Sequence, residues 1–327
     1  MLSRRNFIFS LVGLTCVVQS AVALTVKDID YIPISQLAQI CGMRYRTNVV
    51  GKSQSVYSKL SSMSFSVNSR MISLNGTTVW LGHPVVEYKG MLYLAKRDYF
   101  KTIRPILFPQ NNGTPKRLFN IFIDAGHGGK DKGAINKTYK VSEKALNLDI
   151  ALRLGKELRK NGYNVSFSRT TDTFLELADR PALANRRGAD LFLSIHCNAA
   201  NPSISGVETF ALTPRAMPST TSAKVGKGDY EKFNGHANDE WNEMLSYYIQ
   251  RALHTQTRSQ DRGVKRARFA VLKDTKMPAS LIECGFISNN AECKKLLSAD
   301  YRQLIARTIA NAVMSYHNTL RRLTPKK

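Results

Sequence analysis

The sequence predicts an α/β protein, built around an open, mixed but mostly parallel sheet with helices on both faces and preceded by a small β-rich α+β domain. Three observations carry this. From Leu24 to about Pro109, short apolar runs are separated by turn signals such as Asn75-Gly76 and Lys89-Gly90. Beyond the polar connector Gln110-Asn111-Asn112-Gly113-Thr114-Pro115-Lys116, short apolar strands alternate with amphipathic helical patterns. A length of 327 residues with 43% hydrophobic content suits two domains, each with a core.

The first 23 residues stand apart. Ser3-Arg4-Arg5-Asn6-Phe7 leads into an apolar run from Ile8 to Val18 and then Ala21-Val22-Ala23. A charged start, a short apolar stretch and a small-x-small end predict a signal peptide cleaved after Ala23. The alternative, a retained anchor, would need roughly 20 apolar residues to span a bilayer. No transmembrane anchor is therefore expected after cleavage. The paired arginines before Phe7 resemble a twin-arginine export signal, used for proteins that fold before crossing. The expected location is the periplasm of a Gram-negative bacterium.

Residues 24–113 form the small domain. A helix is expected near Ile34–Cys41, with Ser35 as cap and Gly42 as stop, and strands near Val79–Leu81, Pro84–Tyr88 and Met91–Leu94. No cluster of His, Cys or paired carboxylates occurs here. Tyr31-Ile32-Pro33-Ile34, Leu37-Ala38, Gly42, Ile72-Ser73-Leu74-Asn75-Gly76 and Tyr88-Lys89-Gly90-Met91-Leu92-Tyr93-Leu94 before Tyr99-Phe100 together resemble the N-terminal domain of copper amine oxidases. That resemblance implies a binding or stalk module, not a copper site.

Residues 114–327 form the larger domain. Phe119–Asp124 is a strand running into the glycine-rich Gly126-His127-Gly128-Gly129. A helix follows from Glu143 to Lys160, with Leu146, Ile150, Leu154 and Leu158 on one face, Ser142 as cap and Gly162 as stop. Strands are expected at Val165–Phe167, Leu191–His196, Val207–Leu212, Phe269–Leu272 and Leu281–Cys284. Helices are expected at Arg180–Gly188, Trp241–Arg258 and Tyr301–Leu320.

The net charge is +24, from 48 basic and 24 acidic residues. The excess is spread through the chain: +2 in residues 1–23, +7 in 24–113 and +15 in 114–327. Such a spread speaks to anionic partners rather than to fold. An exported protein meets cell wall and not genome, so nucleic acid is not expected as a partner. Cys41, Cys197, Cys284 and Cys293 remain after signal cleavage, and their irregular spacing leaves free buried thiols or a disulfide open.

Three metal-ligand residue types sit where strands give way to loops. His127 follows the first large-domain strand, Glu143 opens the next helix, and His196 ends Leu191–His196. In an open α/β sheet, ligands gather at the carboxyl ends of strands. Two histidines and one carboxylate leave a fourth tetrahedral position for water, as in catalytic zinc sites, and a single Zn2+ per chain is expected. Glu283 ends the short apolar strand Ser280-Leu281-Ile282-Glu283, where a carboxylate is costly unless paired or functional. Beside an activated water it would serve as general base and then acid. Each residue has a plainer reading: a loop histidine, a carboxylate complementing a helix dipole, or half of a buried ion pair.

Four ordered motifs then resemble the zinc-dependent N-acetylmuramoyl-L-alanine amidases: Ile123-Asp124-Ala125-Gly126-His127-Gly128-Gly129, Ser142-Glu143-Lys144, Leu193-Ser194-Ile195-His196-Cys197-Asn198-Ala199, and Ala279-Ser280-Leu281-Ile282-Glu283-Cys284-Gly285-Phe286-Ile287-Ser288-Asn289. They span about 200 residues, Leu118 to His317. The resemblance implies zinc held by His127, Glu143 and His196, catalysis by Glu283, and peptidoglycan as substrate. It also suggests Asp124 for orienting ligands, Asn198 for substrate contact, and Arg262, in Arg262-Gly263-Val264-Lys265, for substrate contact or a simple turn. Cys197 stands where alanine is usual. Cys197 and Cys284 each follow a site residue on a strand and should point away from the metal.

The segment 213–239 is longer than its connection needs. Two readings stay open: a disordered loop, or a gate that covers the metal until a protein activator moves it, with Glu231, His236 or Glu240 as resting fourth ligand. Two rival functions also remain, a zinc hydrolase cutting within the stem peptide and an inactive wall-binding relative. The expected role is cell-wall remodelling or daughter-cell separation.

Overall fold

The computed structural model describes residues 24–115, 117–222 and 224–324. The signal-peptide reading falls on residues 1–23, outside them. Strands β1 (Leu24–Val26) and β2 (Ile29–Pro33) lead into helix α1 (Ile34–Ile40), which buries Ile34, Leu37 and Ala38. The helix begins directly after Pro33, so Ser35 lies inside it and makes no capping bond; Gly42, at φ +63°, ends it as expected. An antiparallel meander follows: β3 (Arg44–Val49), β4 (Ser53–Tyr57), β5 (Ser62–Ser66), β6 (Met71–Leu74) and β7 (Thr77–Trp80). Strands β8 (Val86–Tyr88) and β9 (Met91–Ala95) join β1 and β2 in a separate four-stranded sheet. Short helical turns α2 (Lys96–Asp98) and α3 (Arg104–Leu107) close the module.

The larger part starts with β10 (Asn120–Ala125), a small β11 (Ile135–Asn136) and β12 (Val141–Ser142) hairpin, and helix α4 (Glu143–Lys160). Ser142 is the residue before α4, as expected, but its hydroxyl makes no capping bond. There follow β13 (Asn164–Phe167), α5 (Asp179–Arg186), β14 (Leu191–Asn198), β15 (Val207–Leu212), α6 (Asp239–Thr257), β16 (Asp261–Ala267), α7 (Ala270–Lys273), β17 (Ala279–Phe286), α8 (Asn290–Leu297) and α9 (Ala299–Leu323). Strands β13, β10, β14 and β17 run parallel, while β15 pairs antiparallel with β17 and parallel with β16.

Alternation along the strands sorts side chains to two faces. Ile121, Ile123, Leu193, Ile195, Ile282 and Cys284 pack with α4, α6 and α9. Phe122, Phe192, Phe210 and Leu281 pack with Ala184 of α5 and Leu272 of α7, the two phenylalanine rings of β10 and β14 stacking at 5.8 Å. Cys41, Cys197, Cys284 and Cys293 are all free and buried, which closes the disulfide reading for them. No helix of the described residues is long and apolar enough to cross a membrane.

One expected strand moves. Phe269–Leu272 is a loop residue and helix α7, and the strand is Asp261–Ala267 just before it. Its sequence, Asp-Arg-Gly-Val-Lys-Arg-Ala, lacks an apolar stripe because its inward charges are paired: Lys265 with Glu208 and Arg266 with Glu243. Arg262-Gly263-Val264-Lys265 is therefore strand and not turn. Helix α8 was not anticipated.

The connector at 110–116 divides the sequence but not the sheet. Val264 of β16 pairs in parallel with Val79 of β7, so the meander extends the central sheet to eleven strands. Val264 and Tyr247 of α6 belong to the N-terminal core. Around this seam, Asp98 is fully buried and accepts from the backbone N–H groups of Gly82 (2.6 Å) and His83 (2.9 Å). Lys101 bridges Asp239 and Glu240 at 3.3 and 2.8 Å.

Candidate metal centre and active site

The carboxyl ends of β10 and β14 and the first turn of α4 bring His127, Glu143 and His196 together. Their ligand atoms all lie within 4.8 Å of one another, as the sequence predicts. Glu143 Oε1 stands 3.2 Å from His127 Nε2 and 3.0 Å from His196 Nδ1. Ligands about 2.0–2.1 Å from a tetrahedral zinc stand about 3.3 Å apart, so the spacing fits such an ion.

The backbone makes room for this closeness. A Cβ on Gly126 would lie 2.3 Å from the His196 ring, and one on Gly133 would lie 2.7 Å from both Glu143 Oε2 and the His127 ring. His127 itself sits at φ +61°, a left-handed conformation held by its surroundings. Its Nδ1 meets Asp131 Oδ2 at 2.8 Å, which orients Nε2 toward Glu143. Burial pushes the Glu143 carboxyl up, but hydrogen bonds and charge from both imidazoles outweigh it and hold the group well below the usual range. Burial pulls His127 down, but Glu143 and Asp131 outweigh it and raise its pKa.

Glu283 lies on the same face, in register with His196 across β14 and β17. It is buried, and its Oε2 has no hydrogen-bond partner. Burial, then the charges of Glu143 and Glu208, push its pKa well above the ordinary value. Glu143 and Glu283 are two neighbouring buried carboxylates, one of them with an unpartnered buried oxygen, an arrangement that a cation would relieve. The donor set fits a metal, and His127, Glu143 and His196 are the residues that could hold it.

The other candidates separate. Asp124 lies on the same face as Ser194 and His196 but one rung deeper, where it binds Arg180 (2.8 Å, both 1% exposed) and Ser194 (2.8 Å) and makes no bond to His127, Glu143 or His196. Arg180 also donates to the carbonyls of Ala125 (3.0 Å) and His127 (3.1 Å), bracing the glycine-rich loop. Asn198 lies beside the site, its amide donating to Glu208 at 2.7 Å, and Arg262 meets the same carboxylate at 3.1 Å. Cys197 and Cys284 point into the core, as expected.

Glu231, His236 and Glu240 do not complete the triad. Glu240 pairs with Lys101, and His236 is tied to the Phe233 N–H (3.1 Å) and the Thr213 carbonyl (3.1 Å). Glu231 is exposed beyond Tyr230. The described part of the 213–239 segment is fastened to the seam: Arg70 donates to the carbonyls of Ser219 (3.0 Å) and Ser222 (2.7 Å), and Arg268 pairs with Asp229 at 2.7 Å. Sequence reasoning passed over Asp131, Arg180 and Glu208. The even spacing of Glu208 with the inward-facing Phe210 and Leu212 was the available sign.

Comparison with known proteins agrees with this geometry. The family model for N-acetylmuramoyl-L-alanine amidase matches residues 121–315, more than half of the chain. The amidase AmiA of Salmonella typhimurium is 33% identical over 261 residues, covering 72% of this chain and 89% of that protein. The crystal structure of an N-acetylmuramoyl-L-alanine amidase from Clostridium difficile 630 is 34% identical, with a TM-score of 0.53, covering 62% of this chain and 99% of that one. The CwlD amidase from Clostridioides difficile, solved in complex with the GerS lipoprotein, is 30% identical with a TM-score of 0.52, covering 62% and 99%. The chain belongs to the N-acetylmuramoyl-L-alanine amidase family and is an enzyme of that type.

Proposed function

We propose that the enzyme is zinc-dependent and hydrolyses the amide joining the lactyl group of N-acetylmuramic acid to L-alanine in peptidoglycan. The observation that carries this is the His127–Glu143–His196 cluster with Glu283 one strand away on the same face. When bound, zinc polarises the carbonyl and lowers the pKa of water to about 7. Glu283 takes a proton from the attacking water as the new C–O bond forms at the lactyl carbonyl carbon. It then delivers that proton to the alanine nitrogen as the C–N bond breaks. The products are a lactyl carboxylate on an intact glycan strand and a stem peptide with a free amino terminus. Glu143 and His196 fix the geometry, and Asp131 fixes the His127 ring.

Export supports the same reading. The 1–23 segment reads as a twin-arginine signal peptide, which supports export to the periplasm of a Gram-negative bacterium, and the +24 charge suits an anionic wall. A role in wall remodelling or daughter-cell separation follows, with the 24–113 module as a binding or stalk element. The lipoprotein partner in the CwlD complex supports an accessory protein here too. Digestion of purified sacculi tests the proposal. New N-terminal L-alanine with uncut glycan is expected, whereas cuts within the stem peptide or the glycan would overturn it.

A further inference from the structure

We propose that Glu208 is a positioning residue of this active site, and that the N-terminal module holds it in place through Trp80; the inference rests on the hydrolase reading above. Glu208 is buried and lies directly opposite Glu283 in the antiparallel β15–β17 pair. Since Glu283 is in register with His196, the three residues form one row across three strands, on one face of the sheet. The row is metal ligand, proton carrier, and a third carboxylate with no part in either task.

The partners of Glu208 show what it does. Its Oε1 accepts from Asn198 Nδ2 at 2.7 Å, and its Oε2 accepts from Arg262 Nε at 3.1 Å and from Lys265 Nζ. Asn198 Oδ1 in turn accepts from the Ala199 N–H at 2.7 Å, so the Asn198 amide is locked at both ends. Asn198 is two residues beyond His196 on the same strand, partly exposed at the strand's end, which forms the rim of the site. One carboxylate thus sets the orientation of Asn198 and holds two cations beside Glu283. A carboxylate kept only for fold stability would have no need to engage the rim of the site.

Both cations come from β16, and the outer neighbour of β16 is the N-terminal module. Trp80 Nε1 donates to the Arg262 carbonyl at 3.0 Å, and the Lys265 ammonium lies 5.8 Å from the centre of a Trp80 ring. The Thr78 N–H donates to Asp261 at 2.6 Å. Gly263 sits at φ +89°, and a Cβ there would fall 2.8 Å from the Thr78 carbonyl oxygen, so the two strands abut at a distance that requires glycine. The path from Trp80 to Arg262 and Lys265, then to Glu208, and then to Asn198 beside Glu283, is continuous. The module is in this view a wall of the catalytic apparatus, whatever else it binds.

The experiment uses the mature zinc-loaded enzyme and a soluble peptidoglycan fragment carrying the muramoyl–alanine amide, with kcat, KM and zinc content measured together. Glu208→Gln is expected to lower kcat roughly tenfold to a hundredfold, the scale of a small misplacement of reacting groups, with KM and zinc content little changed. Trp80→Phe, which keeps the packing and removes the N–H, is expected to lower kcat about threefold in the same direction, a smaller loss of the same kind. Glu208→Asp should recover part of the activity lost in Glu208→Gln. Should Glu208→Gln fail to fold, the half-exposed Arg262→Gln takes its place with the same expectation. Wild-type kcat in a folded, zinc-replete Glu208→Gln or Arg262→Gln protein overturns the role of Glu208, as does a loss of activity that merely follows loss of zinc. Wild-type kcat in Trp80→Phe overturns the link to the module. If the wild-type enzyme itself releases no free L-alanine terminus, the reaction assigned above is what fails.

Discussion

His196 and Glu283 are register partners on neighbouring parallel strands, so the spacing between this imidazole of the His127–Glu143–His196 cluster and the carboxylate beside it is set by the sheet. Such strands run about 4.8 Å apart, and the buried backbone gives neither residue freedom to drift. Immediately beyond this rung the register slips, with Asn198 opposite Phe286.

That fixed rung predicts how Glu283→Gln behaves. The amide keeps the size of the side chain but cannot accept the water proton. Activity on peptidoglycan should fall by at least about a hundredfold, the ordinary scale of general acid–base catalysis, while zinc content stays at wild-type level. Metal analysis and turnover on the same sample decide it. Unchanged turnover would assign the proton transfer elsewhere.

Metal binding should show the hand of Asp131. It touches the distal nitrogen of His127 at 2.8 Å and so fixes the ring without meeting the ion. Asp131→Ala is expected to weaken zinc affinity by about 10–100-fold, with activity restored at excess zinc. Glu143→Ala should instead stay inactive at any zinc concentration used, and a chelator should silence the wild type reversibly. Competition titration against a zinc indicator separates these outcomes.

The Arg180–Asp124 pair bears on stability. Both side chains are almost fully buried at 2.8 Å, so removing one partner leaves the other charged and unpaired. Asp124→Ala should cost about 3–5 kcal/mol in urea unfolding. A loss below about 1 kcal/mol, the range of an exposed pair, would show that water reaches Arg180 after all.

Much of this was legible in the sequence. The strand–loop positions of His127 and His196 and the opening of α4 at Glu143 follow from apolar runs and one capping position, and the structure brings those residues together. What stayed hidden depended on pairing between distant segments. Strand β16 carries too many charges to show a β pattern, because Glu208 and Glu243 lie far from it in sequence and neutralise it only in the fold. The seam between β7 and β16 was invisible for the same reason: an edge strand does not announce its neighbour. Asp124 looked like a residue of the site because it is three positions from His127, and alternation does give it the face of Ser194 and His196, but it sits one rung deeper, where Arg180 and Ser194 occupy its carboxylate.

Glu243 should impose a pH dependence on stability. It is buried against Arg266, and burial, reinforced by the charges of Asp98 and Asp239, overcomes Arg266 and raises its pKa from 4.5 to about 7. The folded state therefore holds this proton more tightly than the unfolded chain. The stabilising contribution is full below pH 4.5 and is lost as pH rises through 7. The thermal midpoint of the wild type minus that of Glu243→Gln should thus be larger at pH 5 than at pH 8. A difference that grows with pH would mean that the pair with Arg266, and not burial, controls the group.

The 213–239 segment is tied down by cations from two sides: Arg70 of the N-terminal module holds Ser219 and Ser222, and Arg268 holds Asp229 and the Met217 carbonyl (2.8 Å). Met217 is itself buried, packed where a side chain on Gly82 would collide with it. These contacts make the segment a strap across the seam, while Glu240 and His236 are engaged away from His127, Glu143 and His196. Deleting residues 214–238 should therefore lower the thermal midpoint by several degrees, as loss of a few kcal/mol would in a protein of this size. Basal activity at a temperature where the variant stays folded should not rise. A clear gain in basal turnover, with the melting point unmoved, would restore the gate and remove the strap.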